Sequence, residues 1–395
     1  QESRGLGDVY KRQGYKMSSK QKILSAILFA AIIVVMPVIF IFSKKSSYSA
    51  QENRMLSKLP KLNISAVSDK SYMHDLEKYL SDHFPERIKW VQAKMSLDRF
   101  TGKDLINGIY ITDSMLIEKL HEPDYDEVKK SVQAINSFAE HYKTDVFAMI
   151  APTSAGIYQD NLPEFAPQLD QRKFISETCE NFSENVNVID IFDTMICEKD
   201  NYIYYRNDHH WTSYGAYCAY RKAIELLGQK PVPIEEFYIS HSSSDFRGTF
   251  YSKCLYNKTE ADIIDIFSCK NGAEITDVIC NDGISETHYD SIYFMDYLGK
   301  KDKYCVFMGE NRAYTNIKTN ADNGKKLLVI KDSYANSFIP FLTQHYSEIA
   351  VIDLRYVKTS IRDFADPDDY DQTLFLYNAS TFAEDKNIKI AGFFN

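Results

Sequence analysis

An uncharged segment near the N-terminus constrains this chain more than any other feature. Residues 23–42 contain no Asp, Glu, Lys or Arg, and about 20 predominantly apolar residues are enough to cross a bilayer as a helix. Lys44 and Lys45 follow at the place where the cleavage region of a signal peptide should be small and neutral. We therefore expect residues 17–45 to form a cytoplasmic tip and an uncleaved membrane anchor, with a cleaved signal peptide as the alternative.

The charges that flank this segment do not orient it. Lys20 and Lys22 precede it and Lys44 and Lys45 follow it, so the positive-inside rule is nearly balanced. Long domains are translocated largely regardless of flanking charge. The sequence therefore predicts a single pass through residues 23–43, with everything after Lys45 outside the cytoplasm.

The segments on either side of the anchor carry less information. The string DVYKRQ at residues 8–13 resembles the translation of a sequencing-transposon end. Residues 1–16 are therefore interpreted as sequencing-adapter read-through, with a functionless polar tail as the alternative. Residues 46–105 are interpreted as a polar stalk and a juxtamembrane helix, because apolar and aromatic side chains recur at helical spacing between residues 72 and 99.

The composition is that of a folded, acidic domain. Hydrophobic residues make up 44% of the chain and aromatic residues 14%, which argues against global disorder. The formal net charge is -9, and much of the basic character precedes Lys45, so nucleic acid is not expected as a partner. The seven cysteines include no CxxC pair, which disfavours a zinc knuckle or a thioredoxin-like site and leaves disulfide pairing open.

Strand-like and helix-like segments alternate through the C-terminal part of the chain. This pattern predicts a three-layer α/β/α domain with a mostly parallel sheet over residues 106–395. The predicted strands are residues 146–150, 186–191, 327–330, 349–354 and 373–377, and the predicted helices are 170–183, 214–227 and the segment after Ser333. Residues 240–310 contain short irregular strand-like runs and are predicted to be a strand-rich insertion beside the site, outside the central sheet.

Two short motifs carry chemistry. Asp208 stands two residues before His210 in a polar loop, a spacing at which a carboxylate can orient an imidazole. Two adjacent histidines beside an Asp could also bind a metal, and hydrogen-bonded loop histidines are the structural alternative. The second motif is Ser333, which follows an apolar strand and begins a helix. Backbone N–H groups and the helix dipole favour a developing oxyanion at such a position, although an ordinary N-cap serine has the same pattern.

Taken together, the two motifs suit a Ser-His-Asp triad, because both lie where α/β sites form, at the C-terminal ends of predicted strands. The chain resembles the DHHW family, which is similar to the SGNH-hydrolase-like proteins of alginate O-acetylation. The segments that carry the resemblance are Glu52-Asn53-Arg54, Ser81-Asp82-His83-Phe84-Pro85, Ala151-Pro152-Thr153-Ser154, Asp208-His209-His210-Trp211, Lys331-Asp332-Ser333 and Asp353-Leu354-Arg355-Tyr356.

The resemblance implies roles for individual residues. Ser333 would be the nucleophile, His210 the base and Asp208 the residue that orients the base. Four further residues are predicted to bind the oxyanion or the substrate: Asn378, Arg355, His209 and Tyr334. For Arg355, which would bind a sugar carboxylate, a salt bridge is the alternative, and for Asn378 the alternative is an ordinary turn residue. The sequence departs from the SGNH pattern at Lys331, which replaces a common Gly, and in lacking a clear Gly-x-Asn-Asp block.

The resemblance also implies a function. It predicts a serine acyltransferase, anchored in a bacterial cell membrane with its large domain extracytoplasmic, that O-acetylates a surface or cell-wall polysaccharide. The acyl donor would be a separate multi-pass membrane O-acyltransferase, and no metal or organic cofactor is expected. A carbohydrate esterase with the same triad and a catalytically silent glycan-binding or scaffold protein remain alternatives.

Overall fold

The computed structural model describes residues 18–281 and 285–394, and the chain divides into two compact units. The first unit contains the described residues 18–49 and 54–90, and the second contains the described residues 50–53, 91–281 and 285–394. The predicted adapter segment, residues 1–16, lies outside the described residues, as does Met17.

The first unit begins with helix α1, Ser19–Phe42. Ser18 caps it, since its hydroxyl accepts a hydrogen bond from the Gln21 N–H while the Gln21 side chain accepts one from the Ser18 N–H. Within the described residues, α1 is the one helix that is long and apolar enough to cross a membrane, and none of its residues is buried. A signal sequence near an N-terminus has the same length and composition, so α1 is a candidate span.

The single juxtamembrane helix predicted over residues 72–99 is wrong, because the structure has a break in it. The first unit continues through strands β1 (Tyr48–Ser49) and β2 (Arg54–Met55) and helices α2 (Ile64–Ser68) and α3 (Ser71–Asp82), and helix α4 (Arg87–Phe100) begins in the first unit and ends in the second. Pro85 disfavours helical geometry in the residue before it, and Glu86 adopts a left-handed φ of 55°. Two of the family-like segments meet beside this break, where the Arg54 guanidinium pairs with the Asp82 carboxylate.

The second unit contains the remaining strands and helices. The strands are β3 (Leu105–Ile106), β4 (Ile109–Ile111), β5 (Leu116–Glu118), β6 (Asp145–Ala151), β7 (Val186–Val188), β8 (Phe237–Phe246), β9 (Asp262–Cys269), β10 (Ile275–Asn281), β11 (Glu286–Tyr289), β12 (Tyr314–Thr319), β13 (Lys326–Lys331), β14 (Glu348–Ile352) and β15 (Gln372–Asn378). The helices are α5 (Tyr125–His141), α6 (Ser154–Ile157), α7 (Gln171–Cys179), α8 (Phe192–Cys197), α9 (Ser213–Leu226), α10 (Thr249–Cys254), α11 (Ala335–Leu342) and α12 (Ala379–Glu384).

A central sheet positions the site. Its strand order is β11-β10-β12-β14-β13-β15-β6-β7. The pairs between β14 and β7 are parallel, and those that involve β12, β10 and β11 are antiparallel. Strand β13 is buried along most of its length, as expected for a parallel strand covered on both faces. Its C-terminal end presents Asp332 and Ser333 at the edge where α/β sites form.

Helices cover the sheet in a three-layer α/β/α arrangement. Helix α5 packs with α7 and α12, and helix α9 packs with α11. Phe138 of α5 lies edge-on to Phe375 of β15, with ring centroids 5.2 Å apart, which ties that layer to the sheet. All seven cysteines lie among the described residues and are unpaired.

The prediction for residues 240–310 is wrong in part. Strands β8 and β9 form a separate two-stranded ribbon, as the predicted insertion would. Strands β10 and β11, in contrast, belong to the central sheet, where β10 pairs along β12 from Ile275 to Asn281. Without them β12 would be an edge strand with unpaired backbone N–H and C=O groups. The sequence pattern does not reveal this pairing, because it is set by contacts distant in the chain.

Candidate active site

Two segments distant in sequence meet beyond the end of β13. The Ser333 Oγ lies 2.8 Å from the Nε2 of His210, and the Nδ1 of the same ring lies 2.5 Å from an Asp208 oxygen. Ser333 is half-buried, whereas His210 and Asp208 are buried. The structure therefore brings the predicted nucleophile, base and orienting carboxylate into one chain of hydrogen bonds.

The charge on Asp208 sets the direction of these hydrogen bonds. Burial raises the pKa of Asp208, but the neighbouring His209 and His210 and the N–H of Thr249 outweigh burial and hold this pKa well below its ordinary value. An ionised carboxylate can only accept hydrogen bonds. The His210 Nδ1 therefore donates, and its Nε2 lone pair faces the Ser333 hydroxyl, which is the arrangement needed to remove the serine proton.

A buried carboxylate on β9 holds the histidine loop in place. Asp262 accepts hydrogen bonds from the backbone N–H groups of Arg206 at 2.7 Å and Asn207 at 2.8 Å. It also accepts one from the Tyr202 hydroxyl at 2.7 Å. These donors fix the chain just before Asp208, so that the aspartate enters the site in one orientation.

Trp211 and Tyr334 join the histidine loop to the serine turn. The Trp211 indole N–H donates to the Tyr334 carbonyl and to the Ser337 hydroxyl, both at 3.0 Å. In the opposite direction, the Tyr334 hydroxyl donates to the His209 carbonyl at 2.6 Å. Tyr334 is fully buried. Its predicted role in substrate or oxyanion binding is therefore wrong, since its hydroxyl is used to hold the two loops together.

Asn378 is also placed differently from the prediction. Its side-chain amide donates to Asp332 at 2.6 Å and to the Thr381 hydroxyl at 2.8 Å, which uses both amide hydrogens. Its side-chain oxygen accepts from the Thr381 N–H at 2.9 Å and caps α12. Asn378 thus ties the end of β15 to the residue before the nucleophile, and its amide does not supply the predicted oxyanion contact.

Arg355 and Lys331 share one buried carboxylate. The Arg355 guanidinium binds Asp353 in a bidentate manner, with contacts of 2.9 and 2.6 Å. The sequence left a salt bridge and a sugar carboxylate as alternatives for Arg355, and the structure has the salt bridge. The Lys331 ammonium donates to Asn336 of α11 at 2.7 Å and lies 3.7 Å from Asp353. Lys331 stands where the SGNH pattern commonly has Gly. Its ammonium is satisfied by Asn336 and Asp353 rather than by the Ser333 hydroxyl.

His209 lies beside the base and lines a cleft. Its ring lies 3.8 Å from that of His210, centroid to centroid, and one third of its side chain is exposed. Burial and the charge of His210 lower the pKa of His209 to about 4, so it is neutral at pH 7. It lines a cleft of about 220 Å³, here named the His209 cleft, together with Glu118, Thr153, Thr249, Phe250, Lys253, Asn378, Ser380, Thr381 and Glu384.

The metal alternative fits this geometry poorly. Asp208, His209 and His210 offer donor atoms within 4.8 Å of one another. Both ring nitrogens of His210, however, are hydrogen-bonded, one to Asp208 and one to Ser333. Two ligands then remain, whereas catalytic zinc sites take three from the protein.

The match to a protein family comes from the sequence. A family model described as DHHW protein matches residues 126–352, more than half of the chain. The chain belongs to the DHHW family. No match was found among curated proteins.

Solved structures show the same fold. A DHHW family protein from Eubacterium siraeum is 25% identical with a TM-score of 0.63, and the match covers 72% of this chain and 95% of that one. PatB1 of Bacillus cereus, solved with a sulfonyl adduct, is 20% identical with a TM-score of 0.62, covering 71% of this chain and 97% of that one. The O-acetyltransferase domain of Pseudomonas putida AlgJ is 13% identical, with a TM-score of 0.44 and coverage of 70% and 93%. This chain therefore shares the fold of the Eubacterium siraeum DHHW protein and of PatB1.

Tyr304 is a site residue that the sequence did not reveal. Its ring stacks on His210 with centroids 3.6 Å apart and planes 8° apart. Its hydroxyl donates to the Ser333 carbonyl at 3.0 Å, and burial raises the pKa of Tyr304 so that this hydroxyl stays protonated. One tyrosine among 28 in an irregular segment carries no local signal of such a role, which depends on tertiary contacts alone.

Substitutions of Tyr304 should separate its two contacts. Tyr304→Phe keeps the stacked ring and loses the hydroxyl donor, so we expect kcat/KM to fall several-fold, in line with about 1 kcal/mol per hydrogen bond. Tyr304→Leu also removes the ring, and the loss should reach about 10²-fold, because the base is then free to shift. Hydrolysis of an aryl acetate measures both. Tyr293→Phe is the matched control, since it removes one hydroxyl donor to a backbone carbonyl. Wild-type rates in Tyr304→Leu would contradict the positioning role.

Gly248 allows the chain to approach Asp208 closely. A Cβ at this position would lie 2.0 Å from the Asp208 Oδ2, the oxygen that accepts the Thr249 N–H at 2.7 Å. Gly248→Ala should displace the carboxylate and lower kcat by about 10²-fold, the scale expected for a misplacement of about 1 Å. Gly299→Ala is the control, because a Cβ there meets nothing within 4 Å. Equal kcat values for the two variants, measured after both are shown to be folded, would refute this role of Gly248.

Proposed function

We propose that this DHHW protein is a serine acyltransferase that acetylates hydroxyl groups of a surface or cell-wall polysaccharide. The observation that carries the proposal is the hydrogen-bonded chain Asp208–His210–Ser333, with a nucleophile that is half-buried and reachable. Membership of the DHHW family supports the same reading.

In the first half-reaction, the Ser333 Oγ attacks the carbonyl carbon of the acyl donor while the His210 Nε2 takes the serine proton. Asp208 stabilises the imidazolium that results. The tetrahedral intermediate then expels the donor's leaving group, which receives the proton from His210. The product is an acetyl ester on Ser333.

Backbone groups are available for the oxyanion of this intermediate. Within residues 18–281 and 285–394, the Ser333 N–H has no hydrogen-bond acceptor, and α11 begins two residues later. An unpaired N–H near the positive end of a helix dipole stabilises negative charge at the attacked carbonyl. In the second half-reaction, His210 takes the proton of a sugar hydroxyl, whose oxygen attacks the carbonyl carbon of the acetyl ester. The tetrahedral intermediate then expels the Ser333 Oγ, which takes the proton back from His210.

We infer further that α1 remains as an uncleaved anchor and that the second unit lies outside the cytoplasm, where a multi-pass membrane acyltransferase would supply the acetyl donor. The uncharged run and the lysines at 44 and 45 support this placement. A reporter fused to the C-terminus should be active only in its extracytoplasmic form, and the protein should remain in the membrane fraction at full length. A cytoplasmic reporter signal would contradict the placement.

The decisive comparison is transfer against hydrolysis, because an esterase would use the same triad. An aryl acetate is supplied as donor with increasing amounts of an oligosaccharide acceptor, and acetylated oligosaccharide and free acetate are both measured. We expect acetylated oligosaccharide to increase at the expense of acetate. Acetate as the sole product at every acceptor concentration would identify an esterase. A failure of a fluorophosphonate probe to label Ser333 would identify a catalytically silent protein.

A further inference from the structure

The His209 cleft is polar. Of the residues that line it, only Phe250 is apolar, and Phe250 is buried. The hydroxyls of Thr249 and Ser380 are half-buried, and neither has a hydrogen-bond partner within the described part of the chain. The volume of about 220 Å³ is below the 300–1,000 Å³ typical of clefts for drug-sized ligands. Such a cleft suits a small polyhydroxylated group and offers little surface for an acyl chain.

The cleft adjoins the triad through two contacts. His209, in its wall, packs against the base His210, with ring centroids 3.8 Å apart and planes tilted by 38°. Thr249, also in its wall, donates its backbone N–H to the carboxylate that orients the base. A ligand in the cleft therefore contacts His209 and Thr249, which directly adjoin His210 and Asp208 of the triad.

The charges of the cleft are unbalanced. The Lys253 ammonium is paired with the Glu118 carboxylate at 2.6 Å. Glu384 is exposed, and no cation among the described residues pairs with it. Since His209 is neutral at pH 7, two carboxylates and one ammonium leave an excess negative charge at Glu384. A ligand that carries its own carboxylate would be repelled there.

We propose that the His209 cleft binds one sugar unit of the acceptor polysaccharide and selects uncharged or cationic sugars over sugars that carry a carboxylate. The inference rests on the proposed function and deepens it by giving the class of acceptor. The unpaired hydroxyls of Thr249 and Ser380 would meet sugar hydroxyls, and Glu384 sets the charge preference.

Binding to a Ser333→Ala protein tests the inference without turnover. Three probes of equal length are titrated by calorimetry: a neutral N-acetylhexosamine oligomer, its cationic de-N-acetylated form and an oligouronate. The first two should bind more tightly than the oligouronate. Glu384→Lys in the same background should shift the ratio of affinities toward the oligouronate by about five- to tenfold, the scale of a reversed charge at an exposed site. Glu384→Gln should produce a smaller shift in the same direction.

Glu140→Lys is the matched control, because Glu140 is an exposed glutamate outside the cleft. An equal shift in Glu140→Lys and Glu384→Lys, or equal affinity of the Ser333→Ala protein for all three probes, would overturn the inference. The two failures are distinguishable. If only the inference fails, the wild-type protein still transfers acetyl groups. If only the proposed function fails, acetyl transfer is absent while the charge preference in binding persists.

Discussion

Ser333→Ala and His210→Ala are each expected to lower kcat by about 10⁴–10⁶-fold, the range found when a member of a serine triad is removed. Without its hydroxyl the protein cannot form the covalent ester, and without the imidazole the hydroxyl keeps its proton. The distance of 2.8 Å between the Ser333 Oγ and the His210 Nε2 makes the two residues one functional unit. The double variant should therefore lose little more than either single variant.

His241→Ala is a suitable control for His210→Ala. His241 also pairs with an aspartate, at 2.5 Å from Asp265, but it is exposed on the β8–β9 ribbon. Its loss should leave kcat within a factor of two or so, as expected for a surface substitution. Thermal unfolding of each variant shows whether the fold is intact. If His209→Ala abolished activity and His210→Ala did not, the roles of the two histidines would have to be exchanged.

Asp208→Asn is the second substitution with a large expected effect. We expect it to lower kcat by about 10⁴-fold, because the geometry of the site survives while the tautomer of His210 changes. An amide nitrogen facing the His210 Nδ1 would donate a hydrogen bond to it. The ring would then carry its proton on Nε2, which could no longer accept the proton of Ser333. The KM for a small ester should change little, since Asp208 is buried behind the imidazole.

The pH dependence gives a second test of Asp208. Its pKa is held below the ordinary value of about 3.9. A carboxylate with a depressed pKa contributes stability above the pKa of the unfolded chain, and this stability is lost as the pH falls through the folded pKa. The wild-type protein should thus lose stability on acidification more steeply than Asp208→Asn below about pH 4. Asp265→Asn, which alters the exposed pair with His241, is the control. A wild-type kcat in Asp208→Asn would show that the imidazole does not depend on this carboxylate.

The parts of the fold that the sequence predicted are those with a local cause. The run from Leu327 to Ile330 is continuously apolar, as in a parallel strand covered on both faces, and it is the core of β13. Gly228 has a φ of 79° and follows the end of α9, where the left-handed conformation favours glycine. Ser333 could be singled out because a serine after such a strand begins a helix.

The parts that the sequence did not reveal depend on partners far along the chain. Asn378 looked like an oxyanion donor at a strand end, but its amide is used by Asp332 and Thr381. Tyr304 carries no local pattern, yet it contacts both His210 and Ser333. Strands β10 and β11 extend the sheet only because β12 offers an edge. Short-range periodicity in the sequence predicts none of these contacts. His210 and Ser333 are also 123 residues apart, but the family resemblance predicted that they act together.

Mass spectrometry of the acyl-enzyme is the most direct test of the account. The protein is mixed with an aryl acetate, quenched with acid in the first turnover and digested, and the peptide that contains Ser333 is examined. We expect this peptide to carry one acetyl group on Ser333. The acetylated peptide should accumulate far more slowly in His210→Ala than in the wild-type protein. It should lose the acetyl group when an oligosaccharide acceptor is added before the quench. Turnover of the ester with no acetyl group on Ser333, or with the group on another residue, would contradict the assignment of Ser333 as the nucleophile.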